Sequence, residues 1–227
     1  MPAERWWPSL GAGVSAPEEG GPQLLRRLDS EGAAILAGYT ATFDDLRMVL
    51  QCCERLVVAL GGAEGSEEQT DQQAADAERA ADRVLVESLW TTALLSYARC
   101  FSPSALGTRL TEHDLAKTEL EGELLEWHRA LIELAEHYSS PVDNPRERFF
   151  VAISENEDGL AGGLALTSLQ QPLVDLMTVR QTGAIVFALT ELVNDRIGAQ
   201  QDVVLAELGE LSADELDQLE TLEVSPE

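Results

Sequence analysis

From residue 24 onward, large apolar residues recur at three- and four-residue spacing: Leu24, Leu25 and Leu28, then Ile35, Leu36, Tyr39, Phe43, Leu46, Val49, Leu50, Cys53, Leu56, Val57 and Leu60. Such spacing returns to one face of an α-helix at every turn. Ser30 is an N-cap candidate within the run and Gly61-Gly62 is a stop, so the pattern predicts one long helix with room for a short one before it. A second helix carries Val84, Leu85, Leu89, Trp90, Ala93, Leu94, Tyr97 and Phe101 and ends at Ser102-Pro103, because a residue before proline avoids the helical region. A third is expected to start near Thr111 and run unbroken through Leu115, Leu120, Leu124, Trp127 and Leu131 to Tyr138, with Pro141 and Pro145 ending it.

Between Pro145 and Pro172 the period drops towards two. Phe149, Phe150, Val151 and Ile153 form a β-prone run, Glu155 to Gly159 supplies turn chemistry, and Leu160, Leu164 and Leu166 form a second arm. These predict one β-hairpin over 147–168. A last long helix is expected from near Gln170 to about Leu208, and Ser212 to Glu215 has the form of a capping box. The fold class that follows is mainly α, an antiparallel bundle of about four long helices with one small β-hairpin before the last. A single domain over 23–208 would contain the hairpin and a polar connector over 61–82. It would be flanked by a loose arm over 1–22, with Trp6 and Trp7 as its apolar anchors, and an acidic tail over 209–227.

The 227 residues suffice for a real core. Charge narrows the function more than length does: 41 Asp and Glu against 15 Lys and Arg leave a formal net charge of −26. Phosphate contacts need clustered bases, so direct nucleic-acid binding and docking on anionic membranes are not expected. Much of the excess lies in the connector and the tail, where Glu207 to Glu227 holds eight acids and no base. Lys117 is the one lysine beside 14 arginines, a bias that fits GC-rich bacterial or phage coding. The cysteines Cys52, Cys53 and Cys100 form no disulfide framework or metal pattern and read as reduced core thiols. The amino terminus has no apolar h-region and no long uncharged span is evident, Leu176 to Val193 being interrupted by Arg180 and Glu191. A cytoplasmic chain is the expectation.

Candidate chemistry is sparse. His128 and His137 are nine residues apart, on opposite faces of one helix, and no His has the Glu three residues earlier that a di-iron bundle uses. HExxH, GxSxG and phosphate-loop motifs are absent, so no cofactor or metal is expected. Arg129 and His137 are eight apart, about 80° around a helix. If a partner closed the site, His137 could act as general acid or base while Arg129 held a phosphate. The same residues also fit an exposed face on which Arg129 pairs with Glu126 or Glu133, and His137 with Glu133.

The segments Leu89 to Phe101 and Trp127 to Glu147, followed by a hairpin and a long final helix, resemble bacterial HEPN-type helical proteins in element order. That resemblance implies a metal-independent RNase site formed across a dimer by an Arg and a following His, and an association with toxin–antitoxin or phage-defence systems. The chain departs from the motif: alignment on His128 and Asn144 puts Ala135 and Pro141 at the Arg and His positions, and His137 lies further from Arg129 than the family spacing. The resemblance therefore implies a non-catalytic module that binds a protein partner or itself as a homodimer through helix faces. Separately, Trp6 and Trp7 in the arm are candidates to dock on the protein's own body or on a partner. The alternatives are a degenerate RNase using Arg129 and His137, an acidic inhibitor that mimics nucleic acid, and a phage structural protein.

Overall fold

The computed structural model describes residues 25–62, 72–118, 120, 122–142, 144–156 and 159–222, with only the backbone described over 72–81. Trp6, Trp7 and the amino-terminal arm lie outside the described residues, as do 63–71 of the connector and 223–227 of the tail.

The chain is mainly helical, with two small antiparallel sheets. Helix α1 (Glu31–Gly62) buries Leu46, Val49, Leu50, Cys53 and Leu56 of the expected apolar stripe, together with Thr42, Asp45 and Cys52, which the apolar periodicity does not mark. The Ser30 hydroxyl accepts from Ala33 N at 3.1 Å and caps its first turn. Helix α2 (Gln72–Cys100) begins inside the expected connector and buries Val86, Trp90, Ala93, Leu94 and Tyr97. Helix α1 packs on both α2 and α5 (Leu176–Gly209), and α2 packs on α4 (Leu124–Ser139). The principal contacts therefore run α5, α1, α2, α4 in series.

Several boundaries differ from the sequence pattern. The expected third helix is two pieces, α3 (Glu112–Leu115) and α4, because Gly122 adopts φ +104° in the acidic stretch between them. Helix α5 starts at Leu176, not Gln170, since Asp175 is its N-cap and accepts from Thr178 N at 2.9 Å. By length and composition α5 is also apolar enough to cross a bilayer, with mean hydropathy 1.3 over its best window, although Arg180 and Glu191 fall within it. Its apolar face, with Val179, Val186, Leu189 and Val193 fully buried, covers α1.

The acidic tail is tied to the body as far as residue 222. Helix α6 (Ala213–Gln218) opens on the expected Ser212/Glu215 capping box, and β4 (Thr221–Leu222) pairs antiparallel with β1 (Leu25–Arg26). Arg26 reaches Asp217 at 2.7 Å and Arg27 lies 3.7 Å from Glu220, so two cations just before α1 offset part of the tail's charge.

Strands β2 (Glu147–Glu155) and β3 (Ala161–Gln170) form the expected hairpin, pairing Phe149 with Ser168, Val151 with Leu166 and Ile153 with Leu164. At its tip Gly159 takes φ +74° and Leu160 N donates to Asn156 Oδ1 at 2.8 Å. At its root Gln171 N donates to Arg146 O at 2.9 Å, and Arg83 donates to Gln171 O at 2.9 Å. Beyond that root the strands pack chiefly on each other and project from the helices.

Candidate functional site

Arg129 and His137 lie on α4 in different surroundings. Arg129 forks onto Glu112 of α3, Nε to Oε1 at 3.1 Å and Nη2 to Oε2 at 3.3 Å, in place of the within-helix Glu126 or Glu133 pairing. That hydrogen bond holds the Glu112 carboxyl below its ordinary range. His137 instead borders a hollow of about 320 Å³ at the hairpin root, beside Tyr138, Arg148 and Pro172.

A larger open groove, about 720 Å³, runs between α2 and α4. Arg99 of α2 and His128 of α4 both line it, which residue spacing along one helix does not reveal. The groove's polar groups are nonetheless engaged in holding the fold. Arg99 and Arg109 both reach the buried Asp45 carboxylate, at 2.9 and 2.8 Å. His128 is buried, shares a 2.8 Å hydrogen bond between Nδ1 and the Tyr97 hydroxyl, and stacks 4.3 Å from the Phe101 ring centroid. Burial lowers the His128 pKa, with Glu112 opposing and Arg129 adding to the effect, so the ring is held neutral as a link between α2 and α4.

Asp114 forms a second buried knot. Its carboxylate accepts from Arg196 of α5, from Thr111 N at 2.9 Å, from Thr111 Oγ1 at 3.1 Å and from Lys117 at 3.3 Å. Burial alone would raise its pKa, but these donors outweigh burial and the pKa is lowered. Among the described residues no group of three or more His, Cys, Asp or Glu is arranged to hold a metal ion. The three cysteines are buried, and burial is the main factor that pushes Cys53 and Cys100 up to about 12, with Cys52 and Glu54 adding to it at Cys53 and Asp45 at Cys100.

The surface feature that the core does not use is the hairpin. Alternation and register put Phe149, Val151, Ile153, Leu164 and Leu166 on one face. They are 65, 70, 66, 79 and 81% exposed, so none of the described residues covers this face. The opposite face carries Arg148, Ala152, Ser154, Ala165 and Thr167, with Phe150 and Leu169 nearer the root. Strand β3 has no charged residue along its whole length. The period-two run marked this hairpin in the sequence, but whether its apolar face was buried depended on where the helices lie.

Comparison with protein-family models, with curated proteins and with solved structures finds no match for the chain.

Proposed function

We propose that this chain is a non-catalytic protein-binding module, a HEPN-like helical bundle whose working surface is the apolar face of the β2–β3 hairpin. The observation that carries this reading is an amphipathic hairpin standing clear of the helices with its apolar side outward. A two-stranded hairpin is marginal alone in water and gains stability from further strands or from packing on a hydrophobic surface. Fully burying a large apolar side chain contributes about 1.5–3 kcal/mol. For the five on this face (Phe149, Val151, Ile153, Leu164 and Leu166), exposed by 65–81%, burial worth about 5–10 kcal/mol is not used by the described residues. A contiguous exposed patch of this kind marks an interaction site.

The order of helices, hairpin and final helix supports the HEPN-like part of the reading and, through it, a place in a bacterial toxin–antitoxin or phage-defence system. The absence of clustered bases in the sequence supports a protein partner over a nucleic acid.

The test is a photoreactive amino acid introduced at Val151 in living cells. Adducts to protein, whether this chain or another, are expected, whereas adducts confined to lipid or RNA overturn the reading. In parallel, tRNA cleavage by the purified protein that disappears in Arg129→Ala and His137→Ala would overturn the non-catalytic assignment.

A further inference from the structure

We propose that the hollow at the hairpin root, between β2 and helices α2, α4 and α5, binds a small organic anion: a carboxylate or phosphate head on an apolar body of two fused rings. Arg148, on the opposite side of β2 from the hairpin's apolar face, lines it, so the site does not depend on the protein-binding reading.

Charge is the first reason. In a chain of net charge −26, Arg26, Arg83, Arg99, Arg109, Arg129 and Arg196 are all tied to carboxylates of the fold. Arg146 and Arg148 are exposed and make no ion pair among the described residues. Arg148 lines the hollow together with His137, and Arg146 lines a smaller recess that shares Trp90, Tyr138, Pro145 and Gln171 with it. No Asp or Glu lines the hollow among the described residues, whereas Glu112 and Glu136 line the larger groove between α2 and α4. Acids close by in the chain are turned away or engaged. Glu147 falls on the other face of β2, Asp175 accepts from Thr178 Oγ1 at 2.8 Å, and Glu87 pairs with Arg83 at 3.0 Å. Salt screens distant acids over about 8 Å under physiological conditions, so the unpaired arginines set the field at the hollow.

Donors without partners are the second reason. Tyr138 is half-buried in the wall, and its hydroxyl makes no hydrogen bond among the described residues. Burial raises its pKa and Glu87 adds to the rise, while the charges of Arg146 and Arg83 oppose it, so both guanidinium groups act on this hydroxyl. It stays protonated and able to donate at neutral pH. Asn144 Oδ1 accepts from Arg146 N at 2.9 Å, which leaves the Asn144 amide NH2 to donate. An oxyanion here meets a guanidinium fork, a phenol and an amide, and the fork matches carboxylate and phosphate alike.

The remaining walls set the body of the ligand. Trp90, Leu134, Pro172 and Leu173 are apolar, so a bare inorganic ion would leave them wet. The volume of about 320 Å³ is at the low end for ligand pockets and limits the body to a small one.

The experiment is isothermal titration calorimetry of the full chain with 2-naphthoate, 2-naphthyl phosphate and uncharged 2-naphthamide. Both anions are expected to bind once per chain with Kd below about 1 mM, and 2-naphthamide about tenfold more weakly or worse. The tighter anion identifies the head. Arg148→Gln should weaken both anions about tenfold or more and leave 2-naphthamide unchanged, because a charge-assisted contact is lost and the apolar walls are kept. Arg146→Gln should weaken them by a smaller factor, and Arg55→Gln on α1 should have no effect. All three arginines are exposed, so unchanged melting curves separate loss of binding from loss of fold.

No binding of either anion up to about 1 mM overturns the proposal. So does 2-naphthamide binding as tightly as the anions, or Arg148→Gln binding them as the wild type does. Val151→Glu should bind normally, and loss of binding there would move the ligand to the hairpin's apolar face and overturn this site. A Glu-rich peptide that displaces both anions and binds more tightly than either would make the hollow a protein contact and overturn the small-ligand assignment.

Discussion

Replacing Asp114 with Ala removes the carboxylate that joins α3 to α5, and the cost follows from what remains. Arg196 keeps its charge with side-chain exposure of only 24%, Lys117 loses an ion-pair partner, and Thr111 N loses its acceptor. Removing one partner of a buried ion pair costs about 3–5 kcal/mol. Partial access of water to Arg196 puts the charge term at the low end, and the orphaned neutral donor adds about 1 kcal/mol. A net loss of about 3–4 kcal/mol is expected, a fall in Tm on the order of 10 °C for a domain of this size. Asp114→Asn keeps an acceptor for Thr111 N and should cost about half as much. Urea titrations at neutral pH measure both values, and a double-mutant cycle with Arg196→Met should return a coupling above about 1.5 kcal/mol. Because the folded pKa is depressed below 3.8, the unfolded chain binds a proton more readily. Stability from this group is therefore complete above about pH 4 and is lost as pH falls through the folded pKa. Asp114→Ala should flatten that part of the acid profile. A loss under about 1 kcal/mol, or strict additivity with Arg196→Met, would refute the view that this knot holds α3 to the body.

Other outcomes follow from single contacts. Gly38→Ala should destabilise despite alanine's helix propensity, worth about 1 kcal/mol, because the new methyl would press on Thr108, whose Cγ2 and Cβ lie 2.7 and 2.8 Å from its position; chemical denaturation reads the sign. Tyr97→Phe leaves the buried His128 Nδ1 without its 2.8 Å partner and should cost about 1–3 kcal/mol by the same assay. Cys53 and Cys100, raised to about 12, should resist a thiol reagent at pH 8 in the native protein and react at once in denaturant, so rapid native labelling at either would contradict their burial. Leu131→Ala, at a fully buried position on α4, should cost about 2–5 kcal/mol, whereas Leu125→Ala on its exposed side should leave the melting curve nearly unchanged.

The helices α1, α2 and α5 and the hairpin were legible in the sequence because their signals are local: apolar residues at i, i+3 and i+4, a Ser-Pro stop, a change of period from 3.6 to 2 and a Ser212/Glu215 box. Those patterns are fixed by backbone geometry whatever the rest of the chain does. The break before α4 was less legible, because Gly122 interrupts a run whose apolar spacing continues on both sides. Contacts between residues distant in the chain lay beyond any local pattern. Asp114 meets Arg196 across 82 positions, Asp45 meets Arg109 across 64, and the Arg26 and Arg27 pair fastens a tail about 190 residues away. Only the fold separates the surroundings of Arg129 and His137, puts Arg99 and His128 on the walls of one groove and leaves the face of Val151 and Leu166 uncovered by the described residues. Side-chain periodicity says which face of a strand is apolar, and the packing of the helices decides whether anything is there to bury it.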